Sequence, residues 1–228
     1  DRYPVLKVTA VTHRLNAVYP TTIVGLPPQE DYYLGKATER VMLPLLKTIV
    51  PDITDYDLPM YGAFHNCAAI RIDKHYPLHA RKVMHAVWGA GQMAWTKTVF
   101  VVSGDVDPHD AGAVLRAAAT YCRPPRDLET VNGPLDILDH ASPRFGAGTK
   151  VGFDCTPKVP GEDIGGSVIE APNEPLSASD AGEVLEAVAD IDGVLEASIS
   201  PHAPGWLLVR VDRDYDEPEH AGLGRRVA

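Results

Sequence analysis

Between Ile53 and Tyr121 the chain alternates β-type and α-type segments, and that alternation restricts its fold more than any other feature. "ITDYDLP" and "NCAAIRI" read as strands, and a helix follows over about Ala80–Gly89. "TKTVFVV" reads as a buried strand, and Asp110–Tyr121 ("DAGAVLRAAATY") as a second helix with Asp107 or Asp110 as its cap. Strands interleaved with helices must be covered by them, so the pattern predicts an α/β layer with a mixed, partly parallel sheet.

The flanks are less regular. Val5–Thr12 alternates with period two and is expected to pair with Thr21–Val24. Gly25 and the Pro27-Pro28 pair break the second strand, because the residue before a proline is driven towards extended backbone. Glu30 and Asp31 then open a helix over Glu30–Lys47, where carboxylates suit the positive end of the macrodipole. Its apolar positions include Leu34, Val41, Leu45 and Leu46, and Pro44 is expected to kink or restart it. Leu43, Leu45, Leu46, Ile49 and Val50 together supply more apolar surface than one helix face needs, which predicts association with something else. Past Cys122 the chain becomes dense in Pro, Gly and Asp and reads as one long connection, functional or laid across a partner. Ser177–Ala189 is an amphipathic helix with Leu185 and Val188 inward, followed by strands in "VLEASIS" and "WLLVRV".

Composition excludes several classes. Thirty-one acids against 21 bases leave a net charge of −10, which argues against a nucleic-acid or anionic-membrane surface. No run approaches the length of a membrane span. Three widely spaced cysteines match neither a disulfide framework nor a zinc spacing, so a reducing cytoplasm is expected. The opening "DRYPVLKVTAVTHR" starts inside a strand pattern with no signal-peptide core, a hint of something longer. His65, His75, His79 and His85 follow no metal-ligand spacing, and "DVDPHD" reads as a helix cap, so no metal site is expected. "FGAGTK" at Phe145–Lys150 is the one candidate phosphate cradle, with Lys150 beside exposed backbone N–H groups.

From Val5 to about Lys158 the chain resembles the C-terminal half of the UbiD family of prenylated-FMN-dependent decarboxylases. The resemblance rests on "KVTAVTHR", "TTIVGLPPQEDYYLGKATERVMLPLLK", "HARKVMHAVWGAGQMAWTKTVFVV", "DVDPHD", "LDHASP" and "GAGTKVGFDCTPK", met in family order. It implies that residues 1–25 hold the closing strands of a split flavin-binding β-barrel domain. Residues 26–160 would form the UbiD-like C-terminal α/β domain, and 161–228 a divergent appendage of a helix, two strands and a tail. Glu30 and Leu34 would reach the rim of the substrate pocket. Gln92, Trp95 and Thr96 would line it from the strand "QMAWTKTVF", with core packing as the competing role for Trp95. Ser142–Gly146, with Pro143, Arg144 and Phe145, would be a loop that closes over substrate, given hinge freedom by Gly146 and Gly148. The family's arginine and its Glu-Gly-Pro-Phe-Gly-acid motif do not occur in these 228 residues, so no catalytic residue is expected in this chain.

The function implied is a C-terminal portion or split subunit of a reversible decarboxylase of aromatic or α,β-unsaturated acids, a carboxy-lyase. Its cofactor would be prenylated FMN with a divalent metal, and potassium as an optional second ion, bound mainly by the N-terminal portion. Partners would be that portion or a partner subunit, a second copy of the chain in a homo-oligomer, and a small acid substrate. The rival is a non-catalytic assembly or regulatory module of the same descent.

Overall fold

The structure, a computed structural model, describes residues 4–21, 25, 30–62, 66–139, 141–142, 144–162, 177–203 and 205–212. Helix α1 (Glu30–Ile49) leads into β1 (Ile53–Asp57), β2 (Cys67–Ile72), α2 (His79–Trp88), β3 (Thr98–Ser103) and α3 (Ala111–Tyr121). A four-residue helix, α4 (Pro124–Asp127), then precedes β4 (Leu128–Pro134) and β5 (Ala147–Cys155). The sheet order is β1-β2-β3-β5-β4, parallel from β2 through β3 to β5 and antiparallel at both edges. This is the mixed α/β sheet that the alternation predicts.

The period-two alternation of the central strands divides the core in two. Ile70, Ile72, Val99 and Val101 face α2 and the inner side of α1, with Val83, Met84, Val87, Leu46 and Val50. Ala69 and Val102 face α3, with Val114, Ala117 and Ala118; Phe100 and Phe153 stack beside them at 4.6 Å. Asp110 caps α3, its carboxylate accepting from the Ala113 amide at 3.1 Å. A separate two-stranded sheet, β6 (Val194–Ile199) with β7 (Leu207–Val211), follows α5 (Ala178–Ala189), capped by Ser177. Val188 is buried and Leu185 half-buried there, and Trp206 Nε1 donates to the Leu115 carbonyl of α3.

Four expectations need correction. Residues 4–13 are exposed and without regular structure rather than a strand, since a lone two-stranded hairpin is marginal without further partners; Thr22–Val24 lie outside the described residues. Pro44 does not restart α1, which runs unbroken from Glu30 to Ile49 because Leu46 and Val50, beyond the proline, are held in the core. "QMAW" is not strand: Gly91–Trp95 forms a 3-10 helix, and β3 begins only at Thr98. The stretch after Cys122 is not one long loop, because β4 and β5 form a hairpin within it.

Candidate pocket wall and covering loop

The hairpin positions the site. Thr98 of β3 pairs with Val151 of β5, so the first half of β5, Ala147–Lys150, extends past the start of β3 and pairs with β4 alone. That overhang lies beside the 3-10 turn Gly91–Trp95, and Val151 N–H donates to the Lys97 carbonyl at 2.9 Å. In a 3-10 helix side chains at i and i+3 eclipse, which puts Gln92 and Trp95 on one side of the turn. Gln92 also lines an apolar cavity of about 140 Å³ with Ala90, Gly91 and Met93, facing Thr38, Met42, Leu45, Leu46 and Ile49 of α1. Leu34 lies one turn before Thr38 on the same helical face, and it is 61% exposed.

The sequence-predicted residues divide accordingly. Gln92 and Trp95, the latter 41% exposed, lie on one side of the turn, and Gln92 meets α1 across the cavity. Glu30 is the first residue of α1, half-buried, a turn from Leu34. Thr96 departs from expectation: it is fully buried, its hydroxyl 4.0 Å from Met93 Sδ and its carbonyl accepting from Trp88 Nε1 at 3.1 Å. Trp95 takes the outer side of the turn and Thr96 the inner. Pro143 lies outside the described residues.

Residues 135–146 close the hairpin, with Leu135 buried and Ile137, Leu138 and Phe145 exposed, Phe145 at 69%. The base is tied. Leu135 N–H donates to the Gly146 carbonyl at 2.9 Å, and the Ser142 hydroxyl sits 2.6 Å from the Arg144 and Ala147 carbonyls, able to donate to one. Asp139 reaches Lys97 Nζ at 2.8 Å, pinning the loop beside the strand that Trp95 precedes. Gly146 adopts φ +67°, a backbone that favours glycine, but Gly148 is paired with Gly133 in the ladder and is no hinge.

The phosphate cradle at "FGAGTK" does not fit a flavin phosphate. Ala147–Lys150 is strand, its backbone spent on β4, and Lys150 is buried with its amine donating to the Ala94 carbonyl. Burial pushes the Cys67 thiol up to about 11 and that of Cys122 to about 12, the opposite of what a nucleophile needs.

Sequence spacing gave no sign of two charged clusters. Glu39, Asp57 and His109 place one ligand atom each within 4.8 Å of one another, the trio among the described residues that could hold a metal. The Lys36 ammonium already sits between the carboxylates, bonded to Asp57 and 3.1 Å from Glu39, while Arg40 lies 2.7 Å from both Glu39 and Asp55. His109 bridges Asp57 and Asp55 at 3.0 and 3.2 Å. With the cations supplied by the chain, the cluster is an ionic tie between α1, β1 and the turn before α3. The second cluster closes the carboxyl ends of the parallel strands, where open α/β sheets usually bind ligands. There Lys74, Asp154, Lys158 and Glu162 interlock, all nearly inaccessible. The candidate surface is therefore at the opposite end, where β3 begins.

Fold and surface together define a mixed-sheet α/β domain whose hairpin, β4 with β5, overhangs the start of β3 beside the 3-10 turn that carries Trp95. Residues 32–155 match the family described as the 3-octaprenyl-4-hydroxybenzoate carboxy-lyase C-terminal domain, and the chain belongs to that family, UbiD. An uncharacterized protein of Archaeoglobus fulgidus is 46% identical over 159 residues, covering 69% of this chain and 33% of the relative. One of Aquifex aeolicus is 46% identical over 158 residues, covering 69% and 32%. The chain thus spans about a third of the length of these curated relatives. The vanillic acid decarboxylase of Sedimentibacter hydroxybenzoicus in its closed form is similar over 79% of this chain and 38% of its own, with a TM-score of 0.62 and 25% identity. Its open form gives 0.59 and 26%, over 73% and 35%. No helix among the described residues is long and apolar enough to cross a membrane.

Proposed function

We propose that this chain is the C-terminal portion, or a split subunit, of a UbiD-like reversible decarboxylase of aromatic or α,β-unsaturated acids, working in the cytoplasm. The observation that carries the reading is the apolar cavity that joins Gln92 to the outer stripe of α1, with part-exposed Trp95 one turn from Gln92 and a hairpin loop bearing exposed Phe145 tied to Lys97 through Asp139. In this reading residues 1–25 belong to a flavin-binding barrel. Prenylated FMN, a divalent metal and optionally potassium are held by the remainder of the enzyme, since the described residues offer a wall and no cradle. The chain's own part is steric and electrostatic. Trp95 presents a flat apolar face to a planar substrate, and Phe145 and Arg144 come down over it to exclude water. Asp139 with Lys97 keeps the loop's base beside the wall. That the Sedimentibacter enzyme takes open and closed forms supports a moving cover.

Phe145→Ala in the complete, cofactor-loaded enzyme tests this. Turnover should fall by roughly tenfold or more, while stability changes by no more than ~0.5 kcal/mol, as for an exposed side chain. Unchanged turnover with a melting temperature lowered by several degrees would make Phe145 a packing residue.

A second reading, a non-catalytic assembly module, is favoured by one feature that the first also accommodates. Val41, Leu45 and Ile49 stand exposed along α1 while Leu46 and Val50 fill the core, so the helix has a second apolar face. We expect association with the rest of the enzyme or with a second copy, seen as a mass above the monomer in sedimentation. The pair Leu45→Glu and Ile49→Glu should return it to monomer without unfolding. A monomer at high concentration in the unaltered chain counts against an interface here.

A further inference from the structure

Lys150 is the largest fully buried side chain among the described residues, 2% exposed, and no carboxylate among them lies within ion-pair reach of it. Its amine donates to the Ala94 carbonyl. The opposite strand makes room for its stem: a Cβ at Gly133 would come within 3.1 Å of Lys150 Cε, so any larger residue there would push the stem aside by a few tenths of an ångström. Burial pushes the amine's pKa below the ordinary lysine range. A buried cation with no acid beside it is expensive, and methionine would fill the same volume at less cost. Stability alone therefore does not account for the residue.

The turn it reaches does need holding. Gly91–Trp95 has no fully buried residue of its own, and 3-10 turns have weak internal hydrogen bonds. It is tied at its ends by Thr96 N–H on the Met93 carbonyl, at 3.1 Å, and by Trp88 Nε1 on the Thr96 carbonyl. We propose that Lys150 is a positioning residue: by gripping the Ala94 carbonyl it fixes the turn that carries Gln92 and Trp95, and so sets where the pocket wall stands. The meaning of that wall rests on the decarboxylase reading, but the grip does not.

Lys150→Met keeps the stem and removes the donor. In the 228-residue chain the melting temperature should be unchanged or raised. Hydrogen exchange at the Met93 and Thr96 amides should speed up at least tenfold relative to β3. Gly133→Ala, which crowds the stem and leaves the amine in place, should give the same local loosening to a smaller degree, and it carries the test if Lys150→Met does not fold. Exchange at the turn that stays level with β3 in the folded variants overturns the proposal. In the complete, cofactor-loaded enzyme Lys150→Met should lower kcat at least tenfold, more than it changes KM. A loosened turn with unaltered turnover upholds the grip and overturns the assignment of this surface as the pocket wall.

Discussion

Replacing Lys74 by methionine is expected to cost the fold on the order of 3–5 kcal/mol, the usual consequence of removing one partner from a buried ion pair. Lys74 Nζ lies 2.6 and 2.7 Å from the two oxygens of Glu162, 2.8 Å from Thr156 Oγ1 and 3.9 Å from Asp154. Asp154 in turn takes Lys158 at 3.0 Å, and Lys158 and Arg126 flank Asp127. Three acids balance three bases, and every side chain is largely shielded from water, so deleting one cation strands a negative charge in a dry place. Glu162 also accepts from the Leu78 amide at 2.8 Å and from that of Val159 at 2.8 Å. Leu78 holds a left-handed backbone, φ 61°, just before α2, a strained conformation that costs roughly 1–3 kcal/mol and persists only when its surroundings hold it. For a domain of this size the loss corresponds to roughly 10 °C in melting temperature. Adding Glu162→Gln to Lys74→Met should recover part of the loss, since the stranded charge goes and an acceptor oxygen stays. A single variant costing under about 1 kcal/mol means that water already reaches the cluster.

The same cluster fixes the direction of the acid response. Burial pushes the Glu162 carboxyl up, but the Lys74 hydrogen bond and the Val159 and Leu78 amides outweigh it and hold the pKa below the ordinary value. Asp127 is lowered likewise: burial raises it, and Arg126, the Arg123 amide and Lys158 prevail. A carboxyl with a folded pKa below its unfolded one contributes stability that is complete above the unfolded value, about 4. That contribution is lost as pH falls through the folded value. Unfolding midpoints should thus be level in this respect from neutrality to about pH 5 and decline below about pH 4, more shallowly in Lys74→Met.

The central layer was legible because its information is local. Ile70, Ile72, Val99 and Val101 sit in short β-branched runs, and Asp110 announces α3 by the N-cap chemistry of its own carboxylate. β4 was not legible. "LETVNGP" carries Asn, Gly and Pro, which read as turn, and only β5 alongside gives its backbone partners. The 3-10 turn at Gly91–Trp95 failed for a related reason: an apolar stretch running into a true strand looks like its beginning, although Gln92 and Trp95 follow a three-residue period. The ionic ties were hidden by distance along the chain. Asp57 and His109 are 52 residues apart, and nothing near either names the other. Lys150 was visible as a residue near glycines, but the glycine that matters is Gly133, across the hairpin, where it gives the side chain its path.

The 228-residue chain by itself should release no CO₂ from any acid and bind no flavin tightly, although it folds. Folding follows from its own cores on both sides of the sheet. Inactivity follows from the surface. Trp95, Leu34 and Phe145 all stand partly or largely open to water, whereas a decarboxylation site must shield the carbanion-like centre it creates. A proton donor must also reach the carbon that loses CO₂, and geometry comes before pKa. Of the two acids on the hairpin loop, Asp139 is engaged by Lys97 and Asp136 accepts from the Leu138 amide at 2.7 Å, while Glu39 and Asp57 are locked by Lys36 between α1 and β1. A positioned general acid is worth roughly 10²–10⁴ in rate. Supplying a flavin-binding portion that carries the Glu-Gly-Pro-Phe-Gly-acid motif, fused to this chain or as a separate subunit, should give flavin retention and turnover together. Circular dichroism on the isolated chain separates inactivity from unfolding. Turnover by the folded, isolated chain within tenfold of the reconstituted enzyme would place the proton donor among these residues and end the reading of this chain as one wall of a larger site.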